Sequence, residues 1–218
     1  MSITNKDLAA AVSEKFKGHD IDVVTYGANN KTITVSKGGA DNVYNDGLYI
    51  TTWDNHLAVS GGFGSFIFRH LACKDMLALF ATQEIDTDYL LESLKAGDAL
   101  EFSADKAKDL IKDYILEWAV DLDEEERTLF TPIAMQEAIN DATASIGKDI
   151  YSADALDYYL GRYENVIDGI DTPLTFNTDF IDVALNRCNQ VTWSYEFICY
   201  AVSFIANKLF SQDLKKAS

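Results

Sequence analysis

The sequence predicts an α+β fold in which an antiparallel sheet comes first and helices follow. Between residues 20 and 70, short runs of β-branched and aromatic residues alternate with Gly, Asn and Asp, which is typical of strands joined by tight turns. The links between these runs are short, and short links favour antiparallel neighbours. From residue 71 onward, apolar residues recur at helical spacing behind capping residues, which indicates a helical region.

The first predicted element is a helix over residues 5–16, because Leu8, Val12 and Phe16 recur four apart on one face. A meander of about five strands follows it. The hairpin at Asp54 and the Gly-rich turn beyond it favour tight links, since Asp and Gly tolerate positive φ. The predicted strands cover residues 20–27, 31–37, 47–53, 56–60 and 65–70.

The remaining predicted elements are helices, and most follow a residue that can cap an N-terminus. The last of them is apolar around most of its circumference, so we expect it to be central. The predicted caps are Asp86, Ser103, Thr131, Ser152 and Thr178. The predicted helices cover residues 73–81, 86–97, about four to five turns after Ser103, 132–145, 153–168, 179–188 and 193–211.

These elements predict two parts, residues 1–70 with a helix and the sheet, and residues 71–218 with an all-helical acidic region packed on it. The absence of a spacer rich in Pro or Ser leaves one continuous domain as the alternative. Charge divides the chain at the same place. The first part holds 6 basic and 7 acidic residues, a net charge of −1, and the second holds 12 and 28, a net charge of −16.

The overall net charge of −17 restricts the partners of the protein. Nucleic acid and anionic membranes are themselves negative, so direct binding to either is not expected. The longest apolar run, residues 197–210, is too short to span a bilayer. A basic protein is therefore the expected partner, and the sequence leaves a homodimer open.

We predict no catalytic residues, no metal site and no cofactor, and therefore no enzyme. The three histidines lie within the first 70 residues, and the cysteines, Cys73, Cys188 and Cys199, are widely spaced among apolar neighbours. This spacing indicates buried thiols rather than a nucleophile or a zinc site. The acidic run at residues 121–126 lacks the glycine and the twelfth-position Glu of a calcium loop, and a solvated linker is the simpler interpretation.

An unusual row of acids occupies the fourth predicted helix, where five acids recur at four-residue spacing over about 24 Å. Each such pair of like charges costs about 0.2–0.5 kcal/mol. The row is either a solvated face or a binding surface for a basic partner. The candidate partner-binding residues are Asp105, Asp109, Asp113, Glu117, Asp121, Asp123, Glu124, Glu125 and Glu126.

The row alone is a sparse imitation of nucleic acid. It carries one acid per about 6 Å, whereas a DNA strand carries one phosphate per about 3.4 Å. Other helices would have to contribute acids to the same surface, and the candidates are Asp154, Asp157, Glu164 and Asp168.

Four segments carry a resemblance to a known group of proteins. "WDNHLAVSGGFGSFIFRH", "DMLALF", "DYLLESL" and "FICYAVSFIANKL" resemble an uncharacterised family of accessory proteins encoded by tailed bacteriophages and prophages, over about two thirds of the chain. Several relatives carry an acid where this chain has Gly62. The resemblance implies a phage accessory protein in the host bacterial cytoplasm, and small acidic proteins of that kind often neutralise host machinery that handles nucleic acid.

We therefore expect a non-enzymatic inhibitor of a host defence protein, of the anti-CRISPR or anti-restriction type, that acts through a negatively charged helical surface. A structural or assembly module of the phage, held by apolar contacts, is the first alternative. A hydrolase that uses scattered carboxylates is the second.

Overall fold

The computed structural model describes residues 5–27, 30–38, 47–82 and 85–217, and it confirms the α+β fold with a helix, an antiparallel sheet and a helical C-terminal region. The helices are α1 (Asn5–Lys15), α2 (Met76–Thr82), α3 (Thr87–Ser93), α4 (Ala104–Asp121), α5 (Glu124–Leu129), α6 (Pro132–Thr143), α7 (Ala153–Leu160), α8 (Thr178–Arg187) and α9 (Trp193–Ala217). The strands are β1 (Asp20–Thr25), β2 (Lys31–Ser36), β3 (Leu48–Trp53), β4 (His56–Gly61), β5 (Gly64–Arg69), β6 (Leu94–Ala96), β7 (Leu100–Phe102), β8 (Glu164–Asn165), β9 (Leu174–Thr175) and β10 (Asn189–Val191).

The chain forms two compact units, and they differ from the two predicted parts. Residues 1–99 together with 191–218 form the sheet unit, and residues 100–190 form the helical unit, which is inserted in the sequence of the first. The predicted boundary after residue 70 does not coincide with this division. The sheet gains a strand beyond that residue, and the last helix belongs to the core of the sheet unit.

The sheet has six strands in the order β1 to β6, and its neighbours pair antiparallel. Burial alternates along β3 and β4, as expected for a sheet with one face in the core. The sixth strand was not predicted, because helix α3 ends at Ser93 rather than running to residue 97. Leu94 instead pairs with Phe68 of β5.

Two predicted tight turns are confirmed. Asp54, between β3 and β4, has φ 45°, and Gly64, after β4, has φ 112°. Gly61 at the end of β4 is needed for another reason. A Cβ atom there would clash with the carbonyl oxygen of Gly47.

The prediction that the last helix is central is confirmed within the sheet unit. Helix α9 packs against α1 and α2, and it also contacts strand β5. Eight of its apolar residues are buried, namely Tyr195, Phe197, Ile198, Cys199, Ala201, Val202, Ile205 and Ala206.

The helical unit has its own apolar core, in which α4 packs against α6 and α8, and α7 packs against α8.

The predicted caps Asp86, Ser103, Thr131 and Ser152 each accept a hydrogen bond from the backbone of the helix that follows. Asn177, not Thr178, caps α8. The region after residue 71 is also not entirely helical, since α7 ends at Leu160 and short strands interrupt the chain.

Candidate functional site

The acidic charge is concentrated in the helical unit. Residues 100–190 hold 20 acidic and 7 basic side chains, a net charge of −13. The sheet unit holds 15 acidic and 11 basic side chains, a net charge of −4. The asymmetry predicted from the sequence therefore follows the boundaries of a folded unit, which begins at residue 100 rather than at residue 71.

Helix α4 displays the predicted row of acids on its solvent side. The Ser103 hydroxyl accepts a hydrogen bond from the Lys106 backbone nitrogen at 3.3 Å and starts the helix. Residues four apart then form the buried face of the helix, namely Ala107, Ile111, Ile115 and Ala119. The five acids of the row, Asp105, Asp109, Asp113, Glu117 and Asp121, are all exposed, as are Asp154, Asp157, Glu164 and Asp168.

The run from Asp123 to Glu126 is not a linker, because helix α5 begins at Glu124. The Asp123 carboxylate caps that helix by accepting from the Glu126 backbone nitrogen at 2.8 Å. Glu126 is half-buried, and its Oε1 accepts from the backbone nitrogens of Asp171 at 3.1 Å and Thr172 at 3.4 Å. These two acids therefore have structural partners, whereas Glu124 and Glu125 are exposed.

Arg127 lies at the acidic C-terminal end of α4. Its Nη2 donates to the carbonyl oxygen of Val120 and to that of Leu122, the latter at 2.8 Å. A cation at the C-terminal carbonyls of a helix interacts favourably with the helix dipole. The cost of placing Asp121 in the last turn is thereby reduced.

A groove lies between α4 and α8, with a volume of about 380 Å³. Three half-buried aromatic side chains line it, Tyr114, Trp118 and Phe180, and the rings of Tyr114 and Phe180 have their centroids 4.3 Å apart. Three exposed acids also line it. Glu117 and Asp121 belong to the predicted row, and Asp179 comes from the first turn of α8.

The carboxylates of the helical unit have no ion-pair partner within it. Throughout residues 100–190, all of which the structure describes, no lysine or arginine nitrogen lies within 4.0 Å of a carboxylate oxygen. Several cations bond elsewhere. Lys106 Nζ donates to the Asn189 carbonyl at 2.9 Å, Arg127 donates to carbonyls of α4, and Arg162 donates to the Tyr158 hydroxyl at 2.6 Å.

The cysteines of the described residues are free thiols, and His70 Nε2 lies 2.7 Å from the Tyr89 hydroxyl oxygen. Cys188 and Cys199 are buried as predicted, and Cys73 is half-buried. Burial raises the pKa of the Cys199 thiol to about 12 and also raises the pKa of the Cys188 thiol, so both are protonated at neutral pH. In the described part of the chain, no group of three or more His, Cys, Asp or Glu side chains is placed to hold a metal ion.

Sequence reasoning missed the groove, although it identified two of its acids. Tyr114 and Trp118 lie beside the buried face of α4 and are half-buried. The other wall comes from α8, about sixty residues further along the chain, and the sequence carries no signal that these two helices are neighbours. The sequence therefore does not indicate that the aromatic and acidic residues form one site.

Comparison of the chain with protein-family models, curated proteins and solved structures found no match. The resemblance to phage accessory proteins thus stays a prediction from the sequence. Among the described residues, no helix combines the length and the apolar run that crossing a bilayer requires.

Proposed function

We propose that this protein is a non-enzymatic, phage-encoded inhibitor that binds a basic, nucleic-acid-handling defence protein of the host through its helical unit. The anti-CRISPR and anti-restriction types are the classes we favour, and the host bacterial cytoplasm is the place of action. Phage origin rests on the resemblance seen in the sequence, whereas the mode of binding rests on the charge of the helical unit.

One observation carries this proposal: the helical unit has 20 carboxylates and no internal ion pair. A surface that served only solubility would be expected to intersperse both signs of charge. Here the acids exceed the cations almost threefold, and Arg127 relieves only the last turn of the row on α4. Uncompensated carboxylates of this kind attract a basic surface and accelerate its association.

The acids on the other helices support a wider surface than α4 alone. The row on α4 is too sparse to match the phosphate spacing of a nucleic acid, and exposed acids on α7 and α8 raise the charge of the same unit. We therefore propose that the partner recognises the helical unit as a whole.

The test is a pull-down from bacterial lysate with the full chain, followed by mass spectrometry and a nuclease-inhibition assay on the captured protein. We expect a nucleic-acid-binding protein at about 50 mM NaCl and little capture at about 500 mM, because salt screens exposed charges. Capture of proteins without nucleic-acid function, or capture that salt does not weaken, would refute the proposal.

Matched variants separate the effect of acids in the helical unit from the effect of the total net charge on capture. Neutralising four acids of the row, in D109N/D113N/E117Q/D121N, should weaken capture strongly. The control neutralises four exposed acids of the sheet unit, in D20N/D22N/E92Q/D98N, and changes the net charge equally. Equal weakening by both quadruple variants would mean that only total charge matters.

An assembly module is a second candidate, and one observation favours it. Strand β1 lies at the edge of the sheet, and Val23, Val24 and Tyr26 are 42%, 52% and 72% exposed. An exposed apolar edge strand is a template for pairing with another chain. A homo-oligomer that persists in about 1 M NaCl by light scattering, and that Val24→Lys dissociates, would support this candidate, since salt at that level screens charge pairs.

A further inference from the structure

We infer that the groove between α4 and α8 binds the guanidinium group of an arginine side chain from the partner protein. This inference rests on the proposed function, since it names the contact by which a basic partner engages the helical unit. It concerns one defined site within that unit, so it can fail while the wider proposal holds.

The groove combines two features that a cationic side chain needs. Its walls present the rings of Tyr114, Trp118 and Phe180, and the negative face of an aromatic ring attracts a cation within about 6 Å of its centroid. Its acids are Glu117, Asp121 and Asp179, which carry three formal charges at neutral pH. The volume of about 380 Å³ is at the low end of the range of ligand sites, roughly 300–1,000 Å³.

No cation of the helical unit forms an ion pair with these acids. Glu117, Asp121 and Asp179 have no lysine or arginine nitrogen within 4.0 Å among the described residues. Arg127, the cation that follows α4 in the sequence, is held by the carbonyls of Val120 and Leu122. The charge of the groove is therefore available to a cation from outside.

The chemistry of the lining favours arginine over other ligands. A guanidinium is planar, stacks on aromatic faces and donates two parallel hydrogen bonds to a carboxylate, whereas the lysine ammonium is a strongly hydrated point charge. An apolar side chain would leave three carboxylates without partners, and a phosphate would be repelled by them. A bound metal is not favoured, because no metal-holding group of ligands occurs among the described residues.

The first experiment is an NMR titration of the full chain with N-acetyl-arginine N-methylamide. The neutral control probe is N-acetyl-citrulline N-methylamide, which has nearly the same shape. We expect saturable shifts of the Trp118 indole N–H with the arginine probe and none with the citrulline probe. Equal shifts with both probes, or shifts spread over all of α4 without saturation, would overturn the inference.

Charge variants test which acids act. Glu117→Gln with Asp179→Asn removes two carboxylates from the groove and should weaken the arginine probe at least about tenfold, since each hydrogen bond to a charged group is strong. Asp105→Asn with Asp109→Asn removes two exposed acids of α4 that do not line the groove, and it should change affinity less than about twofold. Equal weakening by both pairs would contradict a defined site.

Val183 offers a test that adds a cation rather than removing an acid. It lines the groove and is 43% exposed. Val183→Arg should place a tethered guanidinium in the groove and abolish binding of the probe, whereas Val183→Met, with an uncharged chain, should reduce it less. Unfolding curves of the two variants keep the comparison independent of folding. Undiminished binding by V183R would refute the inference.

Two further readouts identify which proposal fails. If the wild-type chain captures a basic partner and V183R captures it equally, the groove is not the contact, although the proposed function stands. If the arginine probe binds the groove but no basic partner is captured, the proposed function fails and the site stands. Tighter binding of free L-arginine than of the blocked probe would assign the groove to a small molecule and overturn its role in docking.

Discussion

Glu126 accepts hydrogen bonds from the backbone of Asp171 and Thr172, while Glu124 and Glu125, in the same run of acids, face solvent. A single sequence pattern thus contains residues with different roles. The partners of Glu126 lie 45 and 46 positions away in the chain, so its structural role was hidden from local sequence reasoning. Substituting the whole run at once would therefore mix loss of charge with loss of structure.

Gly61 should be intolerant of a side chain because a Cβ atom there would clash with the Gly47 carbonyl oxygen. We expect Gly61→Ala to lower the free energy of unfolding by about 1–3 kcal/mol, as for other overpacked sites. Gly27→Ala is the matched control, since no atom of the described residues lies within 4 Å of its added Cβ. Urea unfolding of both variants tests this, and an equal effect of the two substitutions would contradict it.

Glu196, in the first turn of α9, should make stability depend on pH. Burial, and then the nearby charge of Asp88, raise the pKa of this carboxyl above its ordinary value of 4.5. The folded state therefore holds the proton of this carboxyl more tightly than the unfolded state does. The resulting stabilisation is fully present below the pKa of the unfolded state, and it is lost as pH rises through the pKa of the folded state. We expect Glu196→Gln to be more stable than wild type at pH 7, with the difference shrinking toward pH 4.

Urea unfolding across this pH range measures the effect of Glu196→Gln. The variant Asp88→Asn provides the control, because it removes one cause of the raised pKa and should reduce the gain from Glu196→Gln. A gain that is constant with pH would show that titration of this carboxyl is not its source.

Among the elements, α4 has one face that stabilises the protein and one face that destabilises the helix. Its buried face supports the core of the helical unit, whereas its exposed row repels itself and places acids near the negative end of the helix dipole. The Arg127 guanidinium relieves only the last turn. The helix is therefore held by packing and capping, and the row lowers its local stability.

Glu117→Gln should consequently stabilise the protein while weakening its binding of cations. Glu117 has acids four residues away on both sides, Asp113 and Asp121, and removing two such repulsions yields about 0.4–1 kcal/mol. Asp105→Asn is the control on the same helix, because Asp105 lies in the favourable first turn and its loss should not stabilise.

Thermal unfolding at low salt measures these two substitutions, and added salt should reduce the difference between them. A Glu117→Gln variant that is less stable than wild type would contradict the account of α4 as a helix under repulsion.

The elements also show what the sequence can predict. Periodicity and caps located α1, the first five strands and α4, because these signals act within a few residues. Strand β6 was missed because Leu94 leaves the helical pattern only to pair with Phe68 of β5. The groove was also missed because it depends on contacts between residues distant in the sequence. It exists only once α8 has packed on α4.

At the scale of the whole molecule, the helical unit is inserted between two segments of the sheet unit. Strands β7 and β10, at the two ends of the insertion, pair with each other. The Thr192 nitrogen donates to the Ala99 carbonyl at 2.8 Å, and the Ser103 nitrogen donates to the Cys188 carbonyl at 2.7 Å. The chain segments at the beginning and at the end of the insertion therefore lie side by side.

This arrangement predicts that the sheet unit folds without the insertion. Replacing residues 100–190 with a short Gly-Ser link should leave a cooperatively unfolding protein that has lost the binding of cations. Replacing residues 71–161, an equal length that begins at the boundary predicted from sequence, should abolish folding because it removes α2 and α3. Circular dichroism and thermal unfolding distinguish these outcomes, and folding of the second deletion alone would refute the division.

The paired crossings also determine how the molecule would respond to mechanical load. Tension entering through α1 and leaving through α9 is first borne by the contact between these two helices. Tension then reaches the two ends of the insertion. There the β7–β10 pair and the hydrogen bond from Thr192 to Ala99 connect the two chain segments directly and bear the load. The residues between β7 and β10 carry no tension until that pairing opens, because the two strands join the ends of the insertion.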